Sequence, residues 1–409
     1  MNSSTNPNDS NISIVRGITP KARECSAGPV RFSNNRTRTS RRASSADSNI
    51  PVGPAPTTIT SVPREERIHE LYRPNMSART TGFNFAVPGI PSGMALGPNP
   101  TLPPSPKIAV VGTGALGMYY GAKLAKSGVP VTFLARRDLA HLQKRGIQVR
   151  CPFGDFHQHP VRACGTPKEI GPVDLVLVCI KTTGNADLKH LLPPLLGPDT
   201  VVCTLQNGLG NEDLLASIAG KERVLGGVCH VCVSRPEPGV ARNMACTDIK
   251  FSDLSGGDTP RARSLAKIFS EAGVGCTVAP SIGSARWYKL VWNVPFNGLG
   301  IGGGAGGRDT QQVLEDPQLH QEAKDLMGEV LAASTKLGYP QEPGLIDKEI
   351  ARTKTMGHYK SSSQLDWEAG KPVELESIWG EALRQGTAAG VPMPHLQKLY
   401  EKLKGMVRV

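Results

Sequence analysis

The sequence predicts an α/β protein in which a doubly wound parallel sheet is followed by an all-helical C-terminal domain, with a disordered tail ahead of both. Three observations carry this expectation. From Lys107 onward, short β-branched runs alternate with helical segments, the pattern of a sheet covered by helices on both faces. The first run leads directly into a glycine-rich turn and a helix. Beyond about Ser281 strand character fades, and helical segments follow one another to the end.

Residues 1 to about 105 form the expected tail. Up to Pro106 the chain holds 15 of its 34 prolines, among Ser, Asn, Thr and Arg runs such as "SNNRTRTSRRASSADSN". No apolar period is sustained there, so the segment buries too little surface to offset its conformational entropy. "RRAS" at 41–44 has the form of a basic-directed phosphorylation site, although such motifs also arise by chance in basic tails.

The next division, 106–279, opens with the strand "KIAVVG" and the turn and helix "GTGALGMYYGAKLAKSG", with Gly128 just past the helix end. A second strand, "VPVTFLA", follows, and "GIQVRC" and "HPVRA" read as a short strand excursion. "VDLVLVCIK" and "TVVCTLQNG" are nearly continuous apolar runs, as buried parallel strands require. "NADLKHLLPPLL", "NEDLLASIAG" and "RARSLAKIFSEAG" read as helices, while "VLGGVCHVCV" and "GCTVAP" read as strands. The last division, 280–409, is helical, with "RWYKLVWNVPFN", "LHQEAKDLMGEVLAASTKLG" and "ESIWGEALRQGTAAG". Two interruptions are expected near its start. Pro295 cannot donate to the carbonyl of Val291 and should bend or break its helix before Asn297. "NGLGIGGGAGG", 297–307, is glycine-dense and should be a connection.

With 409 residues, 39% of them hydrophobic, the chain can build at least one substantial core. Of the net charge of +12, half resides in the tail, where 12 Lys/Arg face 6 Asp/Glu, so a nucleic-acid partner is not expected. No run of 18 apolar residues and no apolar signal core occur, which points to a soluble cytoplasmic protein with no membrane partner. An organelle address in the Ser/Arg-rich tail is the alternative, although Asp9, Glu24 and Asp47 interrupt it. Nine irregularly spaced cysteines suit reduced, buried thiols. "CHVC" at 229–232 lies in an apolar run without a second pair, and a strand interior is preferred over a metal site; no metal is expected.

Gly112, Gly114 and Gly117 form G-x-G-x-x-G between strand and helix, a Rossmann-like arrangement. Backbone at Gly112, Thr113, Gly114, Ala115, Leu116 and Gly117 can then approach a pyrophosphate while the helix N-terminus faces its charge. Where an NAD site places an acid at the end of the second strand, "TFLARRD" places Arg136 and Arg137. An arginine there suits a 2′-phosphate, so NADP is the expected cofactor; an exposed surface pair is the plainer alternative. Lys181 and Asn207 end two further strands and should border the same crevice. In "RWYKLVWNVPFN", Arg286, Lys289, Asn293 and Asn297 recur at three- and four-residue spacing on one helical face. An isolated buried ammonium is strongly unfavourable, so this face should line a wet cleft or meet anions, unless it is a plain solvent-facing stripe.

Taken in order, "GTGALG", "IKTT", "LQNGLGNE", "RWYKLVWNVPFN" and "SSSQLDWEAGKPVELESIWG" resemble the ketopantoate reductase (2-dehydropantoate 2-reductase) family, over about Lys107 to Tyr400. The resemblance implies a helical domain of the 6-phosphogluconate-dehydrogenase-like kind closing on the cofactor, and NADPH-dependent reduction of a 2-oxo acid. In that family the lysine matching Lys289 is the general acid, and Glu374 matches the acid that orients the substrate. Asn293 and Asn297 match positions holding the substrate's polar groups. Asn207 and Ser362 match those near its carboxylate. Arg136, Lys181 and the glycine turn match cofactor contacts, with Asn207 and Glu374 bordering them.

The last motif departs from the usual pattern. "SSSQLD" has Ser363 and Leu365 where Met and Gln are common, and "GKPVE" has Lys371 and Val373 for Arg and Thr. The reaction type is therefore better defined than the substrate. Another 2-oxo acid or an imine, or a non-catalytic NADP(H)-sensing regulator, are the alternatives. A homodimer is plausible for related two-domain reductases.

Overall fold

The computed structural model describes residues 102–409. The "RRAS" motif, any transit segment and nearly all of the expected disordered tail lie outside the described residues. Folded chain begins slightly ahead of the first strand. Leu102 is buried in the core beneath the sheet, and its carbonyl accepts a hydrogen bond from Ser264 Oγ at 3.4 Å.

Ten strands build one mixed sheet: β1 (Ile108–Val111), β2 (Val131–Leu134), β3 (Ile147–Arg150), β4 (Phe156–Gln158), β5 (Arg162–Cys164), β6 (Val173–Val178), β7 (Leu196–Thr204), β8 (Val224–Ser234), β9 (Val240–Asp253) and β10 (Cys276–Val278). Their order is β4-β3-β9-β8-β7-β6-β1-β2-β5, with β10 also paired to β9. The run β8-β7-β6-β1-β2-β5 is parallel throughout, as the apolar runs predict. Elsewhere the sheet departs from the all-parallel expectation, because β8 pairs antiparallel with β9 and β3 with β4. The long strand β9 has no counterpart in the sequence reading. Its residues "VARNMACTDIKFSD" interleave polar and buried positions irregularly, so no clean period of two stands out.

Alternate residues of β1 enter different cores. Ile108 and Val110 join Tyr119, Phe133 and Phe269 on one face, while Ala109 and Val111 join Leu188 and Leu215 on the other. The covering helices include α1 (Ala115–Lys126), α2 (Leu139–Arg145), α3 (Asn211–Ala219) and α4 (Pro260–Glu271). "NADLKHLLPPLL" is not one helix: it folds as short turns at Thr182–Asp187, Leu188–Leu191 and Pro193–Leu195, because consecutive prolines cannot continue the backbone ladder.

The remaining chain is helical: α5 (Ile282–Gly302), α6 (Thr310–Glu315), α7 (Pro317–Lys336), α8 (Leu345–Lys354), α9 (Ser362–Glu368), α10 (Glu381–Ala388) and α11 (Pro394–Lys404). α5 runs uninterrupted through Pro295 and through Gly298, Gly300 and Gly302, so neither a break before Asn297 nor a connection starting at 297 occurs. Packing overrides local preference here. A Cβ on Gly298 would lie 2.6 Å from Leu399 Cδ2 and 2.8 Å from Trp379 Nε1, so glycine is what lets these side chains close on the helix. Trp379 Nε1 in turn donates to the Val294 carbonyl at 2.9 Å, one residue before the proline. The true connection begins only after Gly302.

Candidate active site

The turn between β1 and α1 is built from three glycines with three separate duties. Gly112 has φ of +109°, and a Cβ there would meet Ile180 N at 2.7 Å. A Cβ on Gly117 would collide with the Gly112 carbonyl oxygen, so the third glycine permits close packing of helix on strand. Gly114, by contrast, is exposed, and a Cβ there would meet nothing within 4 Å. Open space over Gly114 is the side from which a ligand can reach the backbone. No side chain caps α1 at Gly114 and no acid lies in its first turn, so the helix N-terminus at Ala115 and Leu116 presents N–H groups and a positive dipole end outward. Thr113 lies on the same turn. These residues fit the pyrophosphate of a dinucleotide.

Three further strand ends border the same sheet edge. Arg136, two residues past β2, is exposed and pairs with the exposed Asp187 at 3.5 Å. Such a surface pair contributes about 0–1 kcal/mol, so the guanidinium is readily exchanged to a phosphate. Lys181, beyond β6, is exposed and ion-paired with Asp366 on α9. Asn207, beyond β7, directs its side chain toward α5.

There it meets the helix face singled out by spacing. Lys289 Nζ donates to Asn207 Oδ1 at 2.6 Å and to the Cys229 carbonyl of β8 at 2.8 Å. The ammonium thus sits where α5 crosses the middle of β8, just beyond the carboxyl end of β7. Arg286, Asn293 and Asn297 on the same helix are 4%, 5% and 2% exposed, which excludes a plain solvent-facing stripe. Asn297 Nδ2 donates to Ser363 Oγ at 3.2 Å, while its Oδ1 is buried without a partner. An orphaned acceptor of this kind costs stability unless a ligand or water donor meets it.

Glu374 reaches the same region from the segment before α10. Its Oε1 accepts from the Thr182 backbone N–H at 2.9 Å, and a π-helical turn, Glu376–Gly380, follows immediately. Ser362, the first residue of α9, is exposed; its buried neighbour Ser363 makes the contact to Asn297. The structure therefore brings Lys289, Asn207 and Glu374 to one seam, and places the glycine turn, Arg136 and Lys181 along the sheet edge beside it.

Several contributors escape the sequence reading. Thr182 acts through its backbone N–H and Cys229 through its carbonyl, groups that every residue carries, so no residue type announces them. Ser363 stands out in the sequence only as a departure from the family motif, not as the partner of Asn297. Arg286 was visible on the helix face, but its partner Glu212 lies 74 residues away in sequence.

Electrostatics assign different protonation states within the seam. Burial pushes the Lys289 ammonium down to about 8, with Arg286 adding to the shift and Cys229 and Glu374 opposing it. Burial, reinforced by the charges of Lys289, Lys250 and Arg352, pushes His230 down to about 3, so it stays neutral. The Cys229 thiol is raised by burial to about 11. Burial also raises Glu374 above the usual carboxylate range, against the Thr182 N–H and Lys181. Near neutrality Lys289 is protonated and able to give up its proton at modest cost. Among the described residues no cluster of three His, Cys, Asp or Glu can hold a metal, and no helix is long and apolar enough to cross a membrane.

Comparison with known proteins agrees with this geometry. A family model described as "Ketopantoate reductase PanE/ApbA" matches residues 108–256, and its C-terminal counterpart matches 281–407. A 2-dehydropantoate 2-reductase of Nostoc sp. is 33% identical over 73% of this chain and 94% of its own length. A 2-dehydropantoate 2-reductase structure from Geobacter metallireducens is 39% identical with a TM-score of 0.71, covering 73% of this chain and 99% of that one. A corresponding structure from Methylococcus capsulatus is 34% identical with a TM-score of 0.67, covering 73% and 95%. Glycine turn, strand-end residues and the lysine-bearing helix fall within the matched regions, and the chain belongs to the ketopantoate reductase family of oxidoreductases.

Proposed function

We propose that this protein reduces 2-dehydropantoate (ketopantoate) to pantoate with NADPH, as a step toward pantothenate and coenzyme A. The observation that carries the proposal is the Lys289 amine, held by Asn207 and the Cys229 carbonyl at the seam above the sheet edge and pushed down to about 8. A bound NADPH would supply hydride to the substrate carbonyl carbon. Charge developing on the carbonyl oxygen is then met by the Lys289 ammonium, which both stabilises it and delivers the proton, an effect of about 10²–10⁴ in rate. Glu374 accepts from the substrate hydroxyl and orients it. Asn293 and Asn297 hold further polar groups, the unpartnered Asn297 Oδ1 being a ready acceptor. Asn207 and the start of α9 at Ser362 face the carboxylate. The glycine turn holds the pyrophosphate, Arg136 the 2′-phosphate, and Lys181 exchanges Asp366 for a cofactor phosphate. Cytoplasmic residence and a homodimer belong to the same proposal.

A second reading, reduction of a different 2-oxo acid on the same site, is favoured by one feature. Ser363, where Met is common in the resembling motif, is the buried partner of Asn297, so the departure falls on the substrate wall. One assay separates the readings: NADPH consumption across a panel of 2-oxo acids, with NADH alongside. Ketopantoate with NADPH should give the highest kcat/KM. A better substrate elsewhere in the panel would favour the second reading, and tight NADPH binding with no turnover at all would favour a sensor.

A further inference from the structure

Resting on the reductase reading, we propose that Arg286 is a positioning residue for the Lys289 amine: its guanidinium ties α3 and the loop after β7 to α5, one turn before Lys289, and thereby sets where Asn207 meets that amine. Its Nε and Nη2 grip Glu212 Oε1 of α3 at 3.0 and 2.5 Å, and Nη1 donates to the backbone carbonyl of Gln206. The next residue is Asn207, whose Oδ1 accepts from Lys289.

Within the sheet domain this loop is already laced together. Gln206 Nε2 donates to Asn185 Oδ1 at 2.7 Å, Asn185 Nδ2 to Asn211 Oδ1 at 3.2 Å, and Asn211 Nδ2 to the Asn207 carbonyl at 2.9 Å. Arg286 adds the charged link from that network to the helix carrying the amine. Arginine and glutamate are 4% and 6% exposed. A buried ion pair is a weak source of stability, often no better than an apolar packing of equal volume, so stability alone is a poor reason for this one. Planar fork geometry offers a better reason, because its rigidly spaced donors hold the Glu212 carboxylate and the Gln206 carbonyl in one fixed arrangement, which a freely rotating ammonium does not and a thioether cannot.

The charge matters as well as the shape. Groups facing the Lys289 amine are Cys229, His230 and Cys232 from β8, Asn207 from the β7 loop, Glu374 from the segment before α10, and Arg286 from its own helix. Arg286 is the fixed cation among those that act on the amine, and it pushes in the direction that makes the ammonium a better proton donor.

Three variants test this through two readouts: titration of the Lys289 amine by NMR of protein labelled with [15N]lysine, assigned by its loss in Lys289→Ala, and kcat with NADPH. Arg286→Lys keeps the charge and loses the fork. Its amine should titrate near 8 as in the parent, while kcat falls about tenfold or more from misplacement, with NADPH binding unchanged. Arg286→Met loses both, so kcat falls and the titration moves up by roughly one pH unit. Glu212→Gln leaves the cation uncompensated and should move the titration down, and it serves should Arg286→Met not fold. A titration unmoved in both Arg286→Met and Glu212→Gln, or a kcat kept within twofold in Arg286→Lys, overturns the proposal. The amine titration needs no substrate, so it remains decisive even if no 2-oxo acid is turned over and the reductase reading itself fails.

Discussion

In the proposed reaction Lys289 combines two demands that conflict in water. It must be charged near neutrality to meet an oxyanion, yet acidic enough to release its proton in the same step. Burial resolves this by bringing the ammonium to about 8, while Asn207 and the Cys229 carbonyl keep it from becoming an unpaired buried charge. The sign of the pH dependence follows. As proton donor of the proposed reduction the amine acts in its charged form, which is present below about 8 and lost as pH rises through that value. We therefore expect kcat for reduction to be flat below this point and to fall roughly tenfold per pH unit above it. Oxidation of the 2-hydroxy acid, which needs the neutral amine, should rise over the same interval. A pH–rate series in both directions checks this, and a reductive rate still level well into the lysine range would contradict it. Much of this was legible in advance, because Lys289, Asn293 and Asn297 share a face by spacing alone. Their depth was not, since burial depends on what α5 packs against, and neither was the Glu212 partner of Arg286, which only the fold brings near.

At the scale of elements, α5 shows where local rules yield. Glycine at 298, 300 and 302 and proline at 295 all argue against a helix, and the helix forms because Trp379 and Leu399 pack against it. Glycine substitutions in two helices should then differ in sign. Gly298→Val would collide with Leu399 and Trp379 and should destabilise the protein by about 1–3 kcal/mol. Gly328→Ala in α7, where a Cβ meets nothing within 4 Å, should stabilise it by up to about 1 kcal/mol. Urea unfolding midpoints of the two variants test the account, and equal or reversed shifts would refute it. Among the strands, β1, most of β6 and the Thr200–Thr204 end of β7 were legible because they are buried on both faces and nearly continuously apolar. Strand β9 was hidden because its exposure changes along its length, with both ends buried and the stretch Met244–Asp248 more exposed, so no single period marks it.

Across the whole molecule, the proposed site depends on contacts that no single element supplies. Thr182 and Lys181 of the sheet domain meet Glu374 and Asp366 of the helical half, and Leu209 N donates to the Ser377 carbonyl at 2.8 Å. These contacts close the seam over the sheet edge and set Lys289 inside it. The order of motifs along the chain revealed the family, but the pairing of residues across the seam is a property of the folded chain alone. The central claim is that the Lys289 amine performs proton transfer in that seam rather than holding the two halves together. Its most direct test is Lys289→Ala assayed with NADPH and the best 2-oxo acid of the panel, beside a titration of NADPH binding. The account predicts a loss of turnover of about 10²-fold or more with NADPH affinity within a few-fold of the parent. Turnover equal to that of the parent, with binding intact, would contradict it.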